Sequence, residues 1–74
     1  MSAVRLDYLK TQLKHPLPTV RFNAVRALGE VEAEETIDLL IEVYNTDISQ
    51  GVRDAAAIVL QEKGIDDSKF ASIN

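Results

Sequence analysis

Seventy-four residues suffice for one small domain and no more. The absence of cysteine excludes disulfides and thiolate metal sites, and a net charge of −4 argues against phosphate-tracking nucleic-acid binding and against anionic lipid surfaces. An apolar share of 46% belongs to a globular chain, and its make-up of Val, Leu, Ile and Ala, with Tyr8, Phe22, Tyr44 and Phe70 as the aromatics, suits closely packed helices.

The first helix is read from Val4, Leu6, Leu9 and Leu13, with Arg5, Asp7, Lys10 and Lys14 on the other side. It ends near His15, because Pro16 and Pro18 disfavour helical geometry in the residues before them. Pro18 then opens the second helix, which runs to Val31 with Val20, Ala24, Ala27, Leu28 and Val31 on one face. Glu32-Ala33-Glu34-Glu35 forms a turn and places acids at the start of the third helix, Glu34 to Asn45, where the macrodipole favours them. Ile37, Leu40, Ile41 and Tyr44 form its stripe, widened by Leu39 and Val43, so it packs on two sides. The fourth helix follows from Ser49 to Lys63, with Ser49 or Asp47 as N-cap and Gly64 as C-terminal cap. Val52, Ala55, Ala56, Val59 and Leu60 point inward. Residues 65–74 form either a capping turn, in which Ile65, Phe70 and Ile73 cover the last helix pair, or a frayed tail.

The second and fourth helices are copies. Val20-Arg21, Ala24 and Leu28 recur as Val52-Arg53, Ala56 and Leu60, each 32 positions later. Leu6, Leu9 and Leu13 match Ile37, Leu40 and Tyr44 at an offset of 31, which predicts one more residue in the second inter-helix loop. A self-match at fixed spacing is the mark of a stacked repeat. The fold class is therefore all-α: two stacked helical hairpins, residues 1–31 and 32–64, followed by the short tail. A solenoid presents surfaces and no enclosed pocket, which favours binding over catalysis.

The block His15-Pro16-Leu17-Pro18-Thr19-Val20-Arg21, with Ala24 and Leu28 after it, resembles a HEAT repeat, most closely the HEAT-like repeats of phycobilisome lyases. Asp47, Val52, Arg53, Ala56 and Leu60 fit that pattern better, because His15 stands where the family has an acid and Leu17 replaces a capping acid. The resemblance spans residues 4 to 64. It implies a right-handed superhelix of helix pairs with the second (B) helix of each pair lining the concave side. It also implies a structural role for Asp47, Arg21 and Arg53, the guanidiniums reaching loop carbonyls or acids such as Asp47.

Chemistry-bearing constellations are absent from the pattern. His15 is the single histidine, and neither Glu32, Glu34, Glu35 nor Asp66, Asp67 has metal-ligand or calcium-loop spacing, so no metal and no cofactor is expected. Ser2, Ser49, Ser68 and Ser72 sit at caps or in the tail without a paired base, and Gly29, Gly51 and Gly64 form no phosphate loop, so no enzyme is expected. The row Phe22, Arg26, Gly29 and Glu30 faces away from the Val20-Ala24-Leu28 stripe, and its counterpart is Asp54, Ile58, Gln61 and Glu62. Phe22 and Ile58 thus occupy outward positions beside Arg26, the make-up of a binding hot spot. The alternative is that Phe22 folds over a neighbour and Ile58 packs on the tail or the first helix.

The function expected is a small non-catalytic protein–protein interaction or assembly module whose partner-binding residues are Phe22, Arg26, Glu30, Asp54 and Ile58. Two repeats are fewer than solenoids usually stack, so a terminal flank could take another protein or a second copy. Nucleic acid and membrane are not expected partners: no apolar run approaches the ~20 residues of a span, and Asp7 interrupts the apolar stretch a signal peptide needs. A cytoplasmic setting follows. The alternative function is an accessory role in bilin attachment or removal, or in phycobilisome turnover.

Overall fold

The computed structural model describes residues 3–71, with side chains from residue 5 onward. The side chain of Val4, and Ser2, Ser72 and Ile73, lie outside what is described. Among the described residues four α-helices follow in order, α1 Ala3–Gln12, α2 Pro18–Leu28, α3 Glu35–Thr46 and α4 Gln50–Glu62, then a 3-10 turn at Asp67–Lys69. α1 pairs with α2 and α3 with α4, and the two hairpins meet chiefly along α2 and α4. The fold is all-α, as the periodicity requires.

The helix ends depart from expectation in instructive ways. α1 stops at Gln12; Leu13, Lys14 and His15 continue in tightening turns. α3 runs one residue past Asn45 because the Asn45 and Thr46 side chains bond back to the Ile41 and Glu42 carbonyls. The loop of the second hairpin, 47–49, is consequently shorter than 13–17 of the first, and the extra residue is taken up in α3. α2 ends at Leu28 rather than Val31, and Gly29, Glu30 and Val31 bond to carbonyls three residues back. α4 is N-capped by Ser49, whose hydroxyl accepts the Val52 N–H at 3.5 Å. It closes on Gly64 at φ +85°, with Ile65 N–H to the Leu60 carbonyl and Gly64 N–H to the Gln61 carbonyl, a Schellman turn.

The core runs along the α2–α4 seam. Ala24, Val25, Leu28 and Val31 pack with Leu40, Val52, Ala55, Ala56, Val59 and Leu60, all buried. Two stripes are rotated from their sequence reading. On α2, Arg21 and Val25 are buried while Val20 and Ala27 are half-exposed; on α3, Thr36, Leu40 and Val43 are buried while Ile37, Ile41 and Tyr44 are half-exposed. The reason is the same at both ends. Val20 and Ala27 occupy the repeat positions of Val52 and Val59, but no hairpin packs outside the first pair among the described residues. On the outer side of α3, the tail returns instead. Asp66 caps the 3-10 turn, and buried Phe70 meets Tyr44 edge-on, ring centroids 5.1 Å apart.

Two polar links between the hairpins fix their register. At one end Arg21 clasps Asp47: Nε to Oδ2 at 2.9 Å and Nη2 to Oδ1 at 3.1 Å, with side-chain exposures of 9% and 7%. Arg21 Nη1 also donates to the carbonyls of His15 and Pro16. At the other end Lys63 Nζ donates to the Val31 carbonyl at 3.0 Å. A third, solvent-facing link joins Lys10 of α1 to Glu35 of α3 at 2.8 Å. Between the two ends, α2 and α4 approach closely at Gly29, where a Cβ would lie 3.3 Å from Val59 Cγ1 and 3.1 Å from the Arg26 carbonyl.

Burial alone would raise the Asp47 carboxyl, but the hydrogen bond from Arg21, the Ser49 N–H and the charges of Arg21 and Arg53 outweigh it and hold the group below the usual aspartate range. A depressed folded value means that the unfolded chain takes up protons first. The stabilisation from Asp47 is therefore full above the ordinary aspartate range and is lost as pH falls through and below it. Asp47→Asn lowers stability by on the order of 3 kcal/mol at neutral pH, since it leaves Arg21 buried without its counter-charge. Urea titrations at neutral pH and at pH 3 measure this, and the gap between wild type and variant narrows at the lower pH. Gly29→Ala, despite better helix propensity, loses on the order of 1 kcal/mol because Val59 is packed too tightly to yield. A thermal melt above the wild-type midpoint contradicts that.

Candidate functional site

The outward face of α2 and α4 carries every residue read as partner-binding. Periodicity puts them there: Arg21, Ala24, Val25 and Leu28 turn inward on α2, so Phe22, Arg26 and the Glu30 just beyond it turn outward. On α4, Val52, Ala55, Ala56, Val59 and Leu60 turn inward and Asp54 and Ile58 outward. The 32-residue register sets Asp54 level with Phe22 and Ile58 level with Arg26 on two neighbouring helices.

Phe22 is 41% exposed and Ile58 46% exposed. Phe22 leans partly toward the start of α4, where Pro18, Thr19, Ser49, Gly51 and Val52 form a shallow dimple with it. Arg26, Glu30 and Asp54 are exposed, and neither ion pair among the described residues includes them. Asp54 accepts a hydrogen bond from Gln50 Nε2 at 3.2 Å, one helical turn away. The face thus holds two large apolar side chains, one cation and two anions.

Three exposed apolar side chains escaped the sequence reading. Ile48 is 90% exposed and Leu17 also stands out, both in the turns that lead into α4 and α2. Both stand at the loop end of the hairpins. The available signal was chemical: Leu17 sits at the N-cap of α2 without a capping side chain, and Ile48 lies between the capping residues Asp47 and Ser49. Neither belongs to a helical stripe, so periodicity passed over them. The third is Tyr8, 61% exposed on α1 beside an open groove with Leu9, Val20 and Ala27.

The residues with repeat roles sit in the interior or at the loops. Ala24, Leu28, Val52, Ala56 and Leu60 are buried, Val20 is half-buried, and Arg21, Asp47 and Arg53 meet at the loop end. Arg53 Nη1 donates to the Asp47 carbonyl at 2.6 Å, as Arg21 does to His15. His15 has a structural role: its Nδ1 accepts the Leu17 N–H at 3.0 Å, just as Asp47 Oδ1 accepts the Ser49 N–H at 2.9 Å. An imidazole thus replaces the carboxylate as the turn's local acceptor.

At the opposite end Glu32, Glu34 and Glu62 line an open groove with Lys63. No group of three His, Asp or Glu side chains among the described residues could hold a metal. Every buried side-chain nitrogen or oxygen among them has a hydrogen-bond partner, so no orphaned polar group points at a ligand site. No described helix is long and apolar enough to cross a membrane.

Neither the curated proteins nor the solved structures give a match. A family model described as HEAT repeats matches residues 3–61, from the start of α1 almost to the end of α4. HEAT repeats are generally protein-interaction scaffolds. Two helical hairpins stacked at a 32-residue spacing, and a family match over most of the chain, place this protein in the HEAT repeat family.

Proposed function

We propose that the chain is a non-catalytic interaction and assembly module that receives another protein on the outward face of its B helices, α2 and α4. One observation carries the reading: Phe22 and Ile58 remain 41% and 46% exposed on the outward side of helices whose Ala24, Val25 and Leu28, and Val52, Ala55, Ala56, Val59 and Leu60, are buried. Apolar side chains flanked by an arginine anchor protein interfaces. Arg26 orients the partner, and Glu30 and Asp54 supply the polar rim that water keeps accessible. The open groove beside Tyr8, Leu9, Val20 and Ala27 is a second surface, a terminal flank at which a protein or another copy can add. Cysteine-free composition supports a cytoplasmic setting.

The alternative, an accessory role in bilin attachment or removal or in phycobilisome turnover, is supported by the likeness of the turn and B-helix residues to phycobilisome-lyase repeats. Mixing the protein with a bilin tests it, and an unshifted visible spectrum removes it.

Phe22→Ala combined with Ile58→Ala leaves helical circular dichroism nearly unchanged and lowers stability by no more than ~1–2 kcal/mol, since neither side chain is fully buried. The same double variant weakens partner capture by about tenfold or more. Partners recovered from native lysate by the wild type, then titrated calorimetrically against both forms, measure the difference. Global unfolding of the double variant assigns both residues to the core and ends the proposal.

A further inference from the structure

Arg21 and Arg53 stand 32 residues apart, the repeat spacing, and use their guanidinium groups alike on one edge. Each Nη1 donates to the carbonyl six residues earlier, Arg21 to His15 at 2.8 Å and Arg53 to Asp47 at 2.6 Å. The other edge differs. On Arg21, Nε and Nη2 hold both carboxylate oxygens of Asp47, which belongs to the turn of the next hairpin. On Arg53, the corresponding edge meets the exposed Gln50 amide oxygen at 3.4 Å, and neither ion pair among the described residues includes it. Ala57 and Gln61 follow Arg53 at the spacing at which Val25 and Gly29 follow Arg21, and Gly29 is where α4 makes its close approach. The row Arg53, Ala57 and Gln61 is therefore the outward counterpart of a row that is already a helix–helix interface.

We infer that Arg53 is the receiving half of an intermolecular clasp, and that its occupant is a helical hairpin of a different chain that carries Asp or Glu in the turn before its second helix. A guanidinium stays charged at all physiological pH and presents a planar fork matched to a carboxylate, so the recognition is electrostatic and geometric together. Small Ala57 lets a helix come near, as Gly29 does in the seam between the hairpins. Asp47, the neighbouring anion, is committed to Arg21. A second copy of this chain does not complete this clasp: 32 positions before Asp47 its own turn holds His15, whose Nδ1 is occupied by the Leu17 N–H and which offers no anion. The same substitution that leaves the first turn without a carboxylate thus separates foreign hairpins from self. The clasp shares no residue with the B-helix face, so it stands or falls independently of that reading.

His15→Asp in the full chain tests the inference with the protein as its own probe. The introduced carboxylate can accept the Leu17 N–H as Asp47 accepts that of Ser49, so the turn is retained, which circular dichroism checks. H15D is carried alone and with Asp67→Ala, which releases the tail from Gln61, so that the tail cannot mask the flank. Sedimentation equilibrium is expected to show H15D associating about tenfold or more tightly than the wild type in one or both backgrounds. Arg53→Gln in the same chain returns it to the wild-type level, while the Phe22 and Ile58 double substitution does not. Association of H15D no tighter than wild type in both backgrounds, or association that survives R53Q, overturns the inference.

Discussion

A guanidinium and a carboxylate, both nearly sealed from water, set the geometry of this molecule. Arg21 reaches from the first turn of α2 to Asp47 in the turn ahead of α4 and holds both oxygens. The interaction is costly to break and modest in what it adds over an apolar filling, because each ion gave up its hydration to be there. Its contribution is register. With the clasp at one end and Lys63 on the Val31 carbonyl at the other, α4 cannot slide along α2. The pairing of Ala24, Val25 and Leu28 with Val52, Ala55, Ala56 and Val59 follows from that alignment. So does the level placement of Arg26 and Ile58 on the outward face.

Repetition makes identical positions unequal. Val52 and Val59 are sealed because a hairpin lies on one side of them; Val20 and Ala27, their counterparts, are half-open because among the described residues no hairpin lies beyond them, and they line an open groove with Tyr8 and Leu9. On the far side, Phe70 and the turn that Asp66 caps cover Tyr44. The module is thus closed by its tail around Tyr44 and open along α1 and α2, with the unmatched edge of Arg53 at the loop end of α4. Surfaces of a two-hairpin stack are leftovers of the repeat rule, and each can be assigned by asking which neighbour the rule would have supplied.

The element types and the interior of α4 were legible in the sequence because three constraints agreed: helical spacing, proline and glycine punctuation, and a self-match at 32 residues. All five α4 residues expected inside are inside. The α2 and α3 stripes came out rotated because periodicity finds the apolar side of a helix but not the neighbour that completes its burial. Arg21 is the sharpest case: periodicity left it off the inward stripe, and only the family resemblance directed its guanidinium to Asp47, 26 residues away, which it holds. The outward location of Phe22, Arg26, Glu30, Asp54 and Ile58 could be read from spacing. Leu17 and Ile48 could not, because turns carry no period. The return of the tail could be read only as one of two outcomes, since its ordering depends on a ring-to-ring contact with Tyr44 that no local pattern encodes.

The Tyr44–Phe70 contact has a spectroscopic consequence. The chain has no tryptophan and two tyrosines, one clamped edge-on by Phe70 at 83° and the other, Tyr8, turned to solvent. A phenol ring held in a fixed chiral setting gives near-ultraviolet dichroism. The Tyr44 contribution to the near-ultraviolet signal is therefore a built-in optical gauge of whether the turn that carries Phe70 is seated.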